Sequence, residues 1–354
     1  MSSLTPIDAE LAEKIGQMLL VGFRGLDLRD DPSIAQDIQQ YHLGGVILFD
    51  SDLTTHQPGR NIRDPDQVRR LTHSLHQLSS RPLFVAIDQE GGKVSRLQAR
   101  AGFSPTVSAA ELGQRNQPAA TRASAEATAT TLADLGFNLN FAPVVDLNIN
   151  PACPAIGALG RSFSSDPAIV TSHALEWIRA HHARGVLCAL KHFPGHGSAR
   201  QDSHLGWVDV TETWSADELL PYVRIMEAGL CDMIMTAHIF HAGLEPDYPA
   251  TLSYKILTGL LRQQLGYDGV VISDDLQMQA ISSHYDLETA IELAIKGGVD
   301  MLLFGNNLVY ERDLPGRIVE ILTGLVSRGA ISPARIDRSY RRIRRLQHRL
   351  ECLG

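Results

Sequence analysis

Short apolar segments recur along the chain, and longer stretches with helical periodicity separate them. Apolar runs bounded by turn signals are typical of buried strands. The runs are Met18–Phe23, Gly45–Phe49, Leu83–Ile87, Leu139–Val145, Val186–Leu190, Met233–Thr236, Val270–Ile272 and Met301–Phe304. Met18–Phe23 could instead continue a helix that begins near Asp8. Because strands that alternate with helices form parallel sheets, this pattern predicts an α/β protein with a (β/α)8 TIM-type barrel and long active-site loops.

Several intervening helices are marked by residues that begin or end them. Thr121–Leu135 is rich in alanine and stops before Gly136, a frequent C-terminal signal. Asp286 directly precedes another helical stretch. Near the C-terminus, Ser332 and Pro333 supply a cap and a proline at the first helical position. These signals predict a last helix that docks on the barrel, and we expect residues 1–354 to form one catalytic domain.

The C-terminal helix carries an apolar stripe surrounded by arginines. In isolation such arginines are typical of a nucleic-acid-binding patch. The chain has a formal net charge of −8, however, which favours neither nucleic acid nor an anionic membrane as a partner. We interpret the arginines as the solvated outer face of a docked helix. The stripe is Ile336, Tyr340, Ile343 and Leu350, and the arginines are Arg338, Arg341, Arg342, Arg344, Arg345 and Arg349.

The cysteines and the length of the apolar runs indicate the cellular compartment. No C-x-x-C spacing occurs, and Cys188 and Cys231 lie in or beside apolar runs, which indicates reduced thiols. Met1–Glu13 has no basic region followed by an apolar stretch, and no run of about 18 apolar residues occurs. We therefore expect a cytoplasmic protein, without a membrane partner and monomeric.

Charged and titratable side chains gather directly after the apolar runs. A barrel brings the carboxyl ends of all its strands to one rim, so these side chains are expected to share one site. One acid at a strand end often caps the next helix, but this many exceed what capping requires. The residues include Asp88, Arg96, Asp146, Lys191, His192, His238, Asp274 and Asp275. Such a set suits a polar, hydroxyl-rich substrate.

Two of these groups could cleave a glycosidic bond, which needs a carboxylate nucleophile and a proton donor. Asp274 is the candidate nucleophile, although its neighbour Asp275 could also be the working acid. His204 is the candidate acid and base. Asp202, two residues earlier, would favour the imidazolium and orient the ring. Gly195 and Gly197 precede this pair and are expected to act as hinges of a mobile loop.

Other titratable residues invite alternative interpretations. His192 and His196 have the i, i+4 spacing of a zinc pair, but the intervening proline and glycine break the helix that such a pair needs, so we expect no metal and no other cofactor. Asp146 is as suited to binding backbone amides as to binding a sugar. A structural hydrogen bond is the favoured role of His196. His181 and His182 lie on a predicted helix and are expected to face solvent.

The stretch Lys191–His204 closely resembles K-H-F-P-G-H-G-x-x-x-x-D-S-H, the signature of family 3 glycoside hydrolases in their β-N-acetylglucosaminidase (NagZ-like) branch. The chain departs from many members only at Ser198 and Ala199, where they have Asp-Thr. Further ordered segments resemble blocks of the same family, so that the likeness covers most of the chain. They are 88–96 (DQEGGKVSR), 141–146 (FAPVVD), 160–163 (GRSF), 249–253 (PATLS) and 273–276 (SDDL).

This resemblance implies retaining hydrolysis of terminal β-linked N-acetylglucosamine by a (β/α)8 barrel. The family's nucleophile falls on Asp274, and its aspartate–histidine acid/base dyad falls on Asp202 and His204. The substrate-binding residues of the family fall on Asp88, Arg96, Arg161, Lys191 and His192. The implied substrate is a small carbohydrate of the GlcNAc-anhydroMurNAc type, released during cell-wall recycling.

Four alternatives stay open at this point. The same family includes β-glucosidases and phosphorylases, and residue types alone do not distinguish water from phosphate as the acceptor. More remote alternatives are a metal-dependent barrel hydrolase that uses His192, His196, Asp202 and His204, and a sugar-binding protein without catalytic activity.

Overall fold

The computed structural model of the chain describes residues 9–203 and 206–353. Eight strands form one parallel sheet in which each strand pairs with the next along the chain, and β1 pairs with β8. A parallel bridge between Ile272 and Met301 joins the last two strands and closes the barrel. The strands are β1 (Leu19–Gly22), β2 (Gly45–Ile47), β3 (Phe84–Ile87), β4 (Leu139–Asn140), β5 (Leu187–Phe193), β6 (Met233–Thr236), β7 (Val270–Ile272) and β8 (Leu302–Phe304). The predicted (β/α)8 fold is confirmed.

Helices surround the sheet and bury their apolar faces against it. They are α1 (Ala9–Gln17), α2 (Ser33–Tyr41), α3 (Pro65–Leu78), α4 (Ala109–Arg115), α5 (Pro118–Asp134), α6 (Pro167–His182), α7 (Leu220–Glu227), α8 (Gln279–Ser282), α9 (Leu287–Gly297), α10 (Leu314–Ser327) and α11 (Pro333–Leu353). A π-helix, Lys255–Gln264, lies between β6 and β7. Asp286 caps α9 by accepting a hydrogen bond from the Thr289 N–H at 2.9 Å, as its position predicts.

The structure decides between two interpretations of the first apolar run and extends the fifth. Helix α1 ends at Gln17 and β1 begins at Leu19, so Met18–Phe23 is not a continuation of the helix. Strand β5 extends to Phe193, three residues beyond the apolar run. Lys191 and His192 therefore lie on the strand itself rather than on the loop. Their polar side chains pair with Asp88 and Asp146, which makes their burial tolerable.

The polar segment Ser51–Gln67, which follows β2, contains ordered structure. Ser51–Asp52 and Gln57–Pro58 form a small antiparallel hairpin, and the start of α3 accounts for the end of the segment. Asn307, after β8, accepts a hydrogen bond from the Leu53 N–H at 3.0 Å and donates one to the Ser51 carbonyl at 3.1 Å. The hairpin after β2 is thereby fixed to the loop after β8.

Helix α11 docks with its arginines as well as with its apolar stripe. Asp300, buried just before β8, accepts hydrogen bonds from Ser339 at 2.8 Å and from Arg342 at 3.3 Å. Arg335 donates to the backbone carbonyl of Val299 at 2.6 Å, and Arg345 pairs with Asp268 at 2.8 Å. The interpretation of these arginines as only a solvated face is therefore too simple.

His181 and His182 do not face solvent as expected. His181 is fully buried, stacks on Trp177 and lies 3.1 Å from the amide of Asn140 on β4. His182 pairs with the buried Asp232 at 2.6 Å. The last turn of α6 packs against the barrel, so these two rings satisfy polar groups at its wall.

Two further findings concern the chain as a whole. None of the four cysteines, Cys153, Cys188, Cys231 and Cys352, is in a disulfide. Across the described residues, every helix is too short or too polar to cross a lipid bilayer.

Candidate active site

A cleft of about 950 Å³, its open mouth included, lies at the carboxyl end of the strands. Six of the eight site residues predicted from the sequence line it: Asp88, Arg96, Arg161, Lys191, His192 and Asp274. Asp202 is half-buried and is not part of this lining. His204 lies outside the described residues. The apolar part of the lining comes from Ile47, Phe49, Leu53, Val94, Leu159, Met235, Met278, Leu303 and Leu308.

Lys191 is at the centre of the polar wall of the cleft. Its side chain is only 2% exposed, and its ammonium lies 2.7 Å from Asp88 Oδ1 and 2.7 Å from Glu90 Oε1. Burial alone would raise the pKa of Asp88, but Lys191 and Arg96 together hold it below its ordinary value. Asp88 is therefore an ionised acceptor inside the cleft, which suits it to sugar hydroxyl groups.

Glu90 is a buried organising residue that the sequence reasoning did not assign to the site. Arg161 donates to both of its carboxylate oxygens, from Nε at 2.8 Å and from Nη2 at 2.7 Å. Burial would raise the pKa of Glu90, but Arg161 and Lys191 lower it well below its usual range. Glu90 thus fixes two of the predicted substrate-binding cations, Lys191 and Arg161, in one geometry.

A signal for Glu90 does exist in the sequence. Side chains in a strand alternate between two faces, so Asp88 and Glu90 share a face while Gln89 points away. In the hairpin formed by Gln89–Gly91 and Val94–Ser95, Gln89 donates to Ser95 Oγ at 2.8 Å and accepts from the Arg96 N–H at 3.0 Å. Gln89 therefore shapes the hairpin that carries Arg96, while Glu90 faces the cleft.

Asp146 organises the end of β5 from a fully buried position. Its Oδ1 accepts from the backbone N–H of His192 at 3.1 Å and from that of His196 at 2.8 Å, while Oδ2 lies 2.7 Å from His192 Nδ1. Of the two interpretations of Asp146, the structure therefore supports binding of backbone amides. Because Nδ1 faces this carboxylate, His192 presents Nε2 toward Arg161 Nη2 at 3.3 Å.

His196 is buried behind the cleft wall. Burial, reinforced by the neighbouring His192, lowers its pKa to about 4, so the ring is neutral at neutral pH. Its Nε2 lies 3.2 Å from Ser203 Oγ. This contact joins two positions, His196 and Ser203, of the loop that follows β5. The position agrees with a structural hydrogen bond.

Asp274 and Asp275 follow β7 and both line the cleft. The Asp274 N–H donates to Thr236 Oγ1 on β6 at 3.3 Å, and Asp274 Oδ1 accepts from the Asp275 N–H at 2.8 Å. Asp275 Oδ1 accepts from the Gln277 N–H at 3.0 Å. The Asp275 carboxylate thus holds the turn that follows.

Gly195 and Gly197 allow close packing at the base of the loop. A Cβ on Gly195, whose φ is 127°, would lie 2.6 Å from the Cβ of Glu218. A Cβ on Gly197 would lie 1.7 Å from the Leu147 carbonyl oxygen. The Gly197 carbonyl also accepts from the Asn150 N–H at 3.0 Å. These contacts give the glycines a role in packing that a hinge would not require.

No group of three or more His, Cys, Asp or Glu side chains within residues 9–203 and 206–353 is arranged to hold a metal ion. The polar groups of the cleft are instead paired with one another as acids and bases. This arrangement lines the cleft with charged hydrogen-bond donors and acceptors.

Residues 10–346 match the family model described as "Glycosyl hydrolase family 3 N terminal domain". The chain belongs to glycosyl hydrolase family 3. Within this family it is 38% identical over 294 residues to Beta-hexosaminidase A of Pseudoalteromonas piscicida, covering 77% of this chain and 47% of that protein. It is 35% identical over 331 residues to the Beta-hexosaminidase of Xanthomonas euvesicatoria pv. vesicatoria (strain 85-10), covering 89% and 92%. The family predicted from the sequence motifs is thus confirmed.

Solved family 3 structures have the same fold. The β-N-acetylglucosaminidase of Paenibacillus sp. str. FPU-7 superposes with a TM-score of 0.87 at 34% identity, covering 99% of this chain and 63% of that one. The β-N-acetylhexosaminidase of Beutenbergia cavernae DSM 12333 gives 0.85 at 29% identity, covering 96% and 99%. The chain therefore spans about half to two thirds of some relatives and nearly all of others.

Proposed function

We propose that this chain is a retaining exo-β-N-acetylglucosaminidase, which hydrolyses terminal β-linked N-acetylglucosamine from a small carbohydrate. The observation that carries the proposal is the connected set Asp88–Lys191–Glu90–Arg161 in the same cleft as Asp274. The family 3 relatives named above are a β-hexosaminidase and a β-N-acetylglucosaminidase, which supports the same activity.

The polar wall supplies the recognition of the sugar. Ionised Asp88 accepts hydrogen bonds from hydroxyl groups, while Arg96, Arg161 and Lys191 donate to sugar oxygens. Because Glu90 and Asp146 already hold Arg161, Lys191 and His192, these groups need little reorganisation when a sugar binds.

The chemical step uses Asp274 and the Asp202–His204 pair. One oxygen of Asp274 attacks the anomeric carbon as the bond from that carbon to the leaving oxygen breaks. The His204 imidazolium gives its proton to the leaving oxygen, and Asp202 stabilises its charge. Neutral His204 then takes a proton from water, the water oxygen bonds to the anomeric carbon, and Asp274 departs as carboxylate. Two inversions give net retention.

The substrate and the cellular setting follow from the sequence resemblance. We expect the aglycone to be an anhydro-muramic acid unit, removed during recycling of cell-wall fragments. A monomer in the cytoplasm stays the prediction for the state and location of the protein.

Aryl glycosides test this function directly. Hydrolysis of p-nitrophenyl β-N-acetylglucosaminide is expected to exceed that of the corresponding glucoside, with N-acetylglucosamine as the product in phosphate buffer and in phosphate-free buffer. N-acetylglucosamine 1-phosphate as the product would identify a phosphorylase, and preference for the glucoside a β-glucosidase. Proton NMR of the first product should show the β-anomer, and an initial α-anomer would contradict a retaining mechanism.

A further inference from the structure

Glu218 is a buried acid to which neither the sequence motifs nor the proposed mechanism gives a role. It lies in the short helical turn Ala216–Leu219 that leads into α7, and its side chain is fully buried. Its Oε2 accepts a hydrogen bond from the Gly197 N–H at 3.2 Å. Gly197 lies at the base of the loop that continues to Asp202 and His204.

The contact between Glu218 and the loop is steric as well as polar. A side chain on Gly195 would overlap Glu218, since a Cβ there would lie 2.7 Å from Oε2. On the opposite side of the turn, Gly197 packs on the backbone of Leu147. The turn is therefore clamped between Glu218 and the segment that follows β4.

Two acidic side chains, Asp146 and Glu218, hold successive amides of this turn. Asp146 accepts the His196 N–H at 2.8 Å, and Glu218 accepts the Gly197 N–H. Asp146 also organises His192 in the cleft, whereas Glu218 binds the backbone of the loop. His196 Nε2 also lies 3.2 Å from Ser203 Oγ, so the turn contacts the residue that directly follows Asp202.

We propose that Glu218 is a positioning residue for the acid/base loop: it fixes the direction in which the chain leaves β5 and so places the Asp202–His204 pair against the leaving oxygen. The inference rests on the proposed function, in which this pair protonates the leaving group. It assigns Glu218 no contact with the sugar.

A leaving-group comparison separates positioning of a proton donor from general stabilisation. A 2,4-dinitrophenyl aglycone departs without protonation, whereas a phenyl aglycone requires it. In Glu218→Asp the shorter side chain withdraws the acceptor from the Gly197 N–H. We expect kcat/KM for the phenyl glycoside to fall by about tenfold or more, part of the 10²–10⁴-fold that acid–base catalysis contributes. The dinitrophenyl glycoside should stay within about twofold of the native value.

Two further variants complete the test. Glu218→Gln keeps a side-chain oxygen that can accept from the Gly197 N–H. It is expected to retain native rates with both substrates. Asp217→Asn changes the neighbouring exposed carboxylate and is the matched control, with no expected change. Equal losses with both substrates in Glu218→Asp, no loss with either, or losses in Glu218→Gln that match those of Glu218→Asp would each overturn the role. Failure of the native chain to cleave either N-acetylglucosaminide would overturn the proposed function itself, and with it the partner through which Glu218 acts.

Discussion

The ammonium of Lys191 lies 2.7 Å from Asp88, although the two residues belong to strands that are not adjacent. Asp88 follows β3 and Lys191 lies near the end of β5, so the pair spans β4. Side chains from alternate strands of a barrel share a layer of its interior, which brings them together. Since Lys191 is almost completely buried, Asp88 and Glu90 supply the negative charge that makes its burial tolerable.

Replacement of Glu90 tests this pairing. Glu90→Gln leaves Lys191 and Arg161 short of a buried negative charge, and losing one partner of such a network costs about 3–5 kcal/mol of unfolding free energy. Displacement of the two cations should lower kcat/KM by about 10²-fold, the effect of a misplacement of about 1 Å. Urea unfolding and steady-state kinetics measure the two effects.

Glu111→Gln is the matched control, because it removes a carboxylate that pairs with Arg115 on the half-exposed surface of α4. Such surface pairs contribute about 0–1 kcal/mol, so both measurements should stay close to native. If Glu90→Gln behaved like this control, Glu90 would not organise the cleft.

Asp274 and Asp275 are distinguished by substituting each with asparagine. Asp274→Asn should fold normally and lose activity by on the order of 10⁴-fold or more, because no carboxylate remains to attack. Asp275→Asn keeps an oxygen acceptor for the Gln277 N–H and should retain most activity. Circular dichroism verifies folding, and kinetics with an aryl glycoside measures the loss. The reverse pattern would move the nucleophile to Asp275.

The sequence predicted the barrel and most of the cleft because both depend on local patterns. Buried parallel strands read as apolar runs, and a barrel places the residues after those runs on one rim. Asp88, Lys191 and Asp274 could therefore be assigned to one site without knowledge of any distance. The roles of Asp202 and His204 were inferred from their residue types and implied again by the resemblance to family 3, and they stay predictions.

The features that the sequence did not predict depend on contacts between distant segments. Glu218 follows the signature by more than ten residues, and only the fold reveals that it packs under Gly195. The sequence places His182 at the end of a helix and predicts exposure. Only the fold shows that Asp232 lies beside it. The arginines of α11 could be taken as solvated because nothing local indicates that Asp300 lies beneath them.

Asp300 is expected to stabilise the barrel without affecting catalysis. It precedes β8, at the end of the barrel opposite the cleft, and pairs with Arg262 at 2.6 Å as well as with α11. Asp300→Asn should lower the unfolding free energy by about 3 kcal/mol, because the buried guanidinium groups lose their counter-charge. Denaturant unfolding should reveal this loss while kcat/KM stays native.

The exposed Asp268 provides the comparison for Asp300, since it also pairs with Arg342 and Arg345 of α11. Asp268→Asn should change the unfolding free energy by no more than about 1 kcal/mol. Equal effects of the two substitutions would show that burial of Asp300 is irrelevant to docking of the helix.

The buried carboxyl of Glu218 should make the stability of the protein depend on pH. Burial raises its pKa from 4.5 to about 8, outweighing the nearby Ser198 hydroxyl, which lowers it, and Asp146 adds to the rise. Between these two values the folded protein retains a proton that the unfolded chain releases, so the unfolding free energy must fall as pH rises. The full loss is on the order of 5 kcal/mol.

Glu218→Gln isolates this contribution because glutamine is neutral throughout. Thermal unfolding measures this contribution. As the pH rises from about 5 to about 8, the melting temperature of the native chain should fall relative to that of Glu218→Gln. Asp217→Asn, which alters an exposed carboxylate of the same turn, should follow the native curve. The difference should grow up to about pH 8, because the unfolded native chain releases the Glu218 proton while the folded protein keeps it, and the amide titrates in neither state. Parallel curves for the native chain and Glu218→Gln would mean that Glu218 is already ionised in the folded protein.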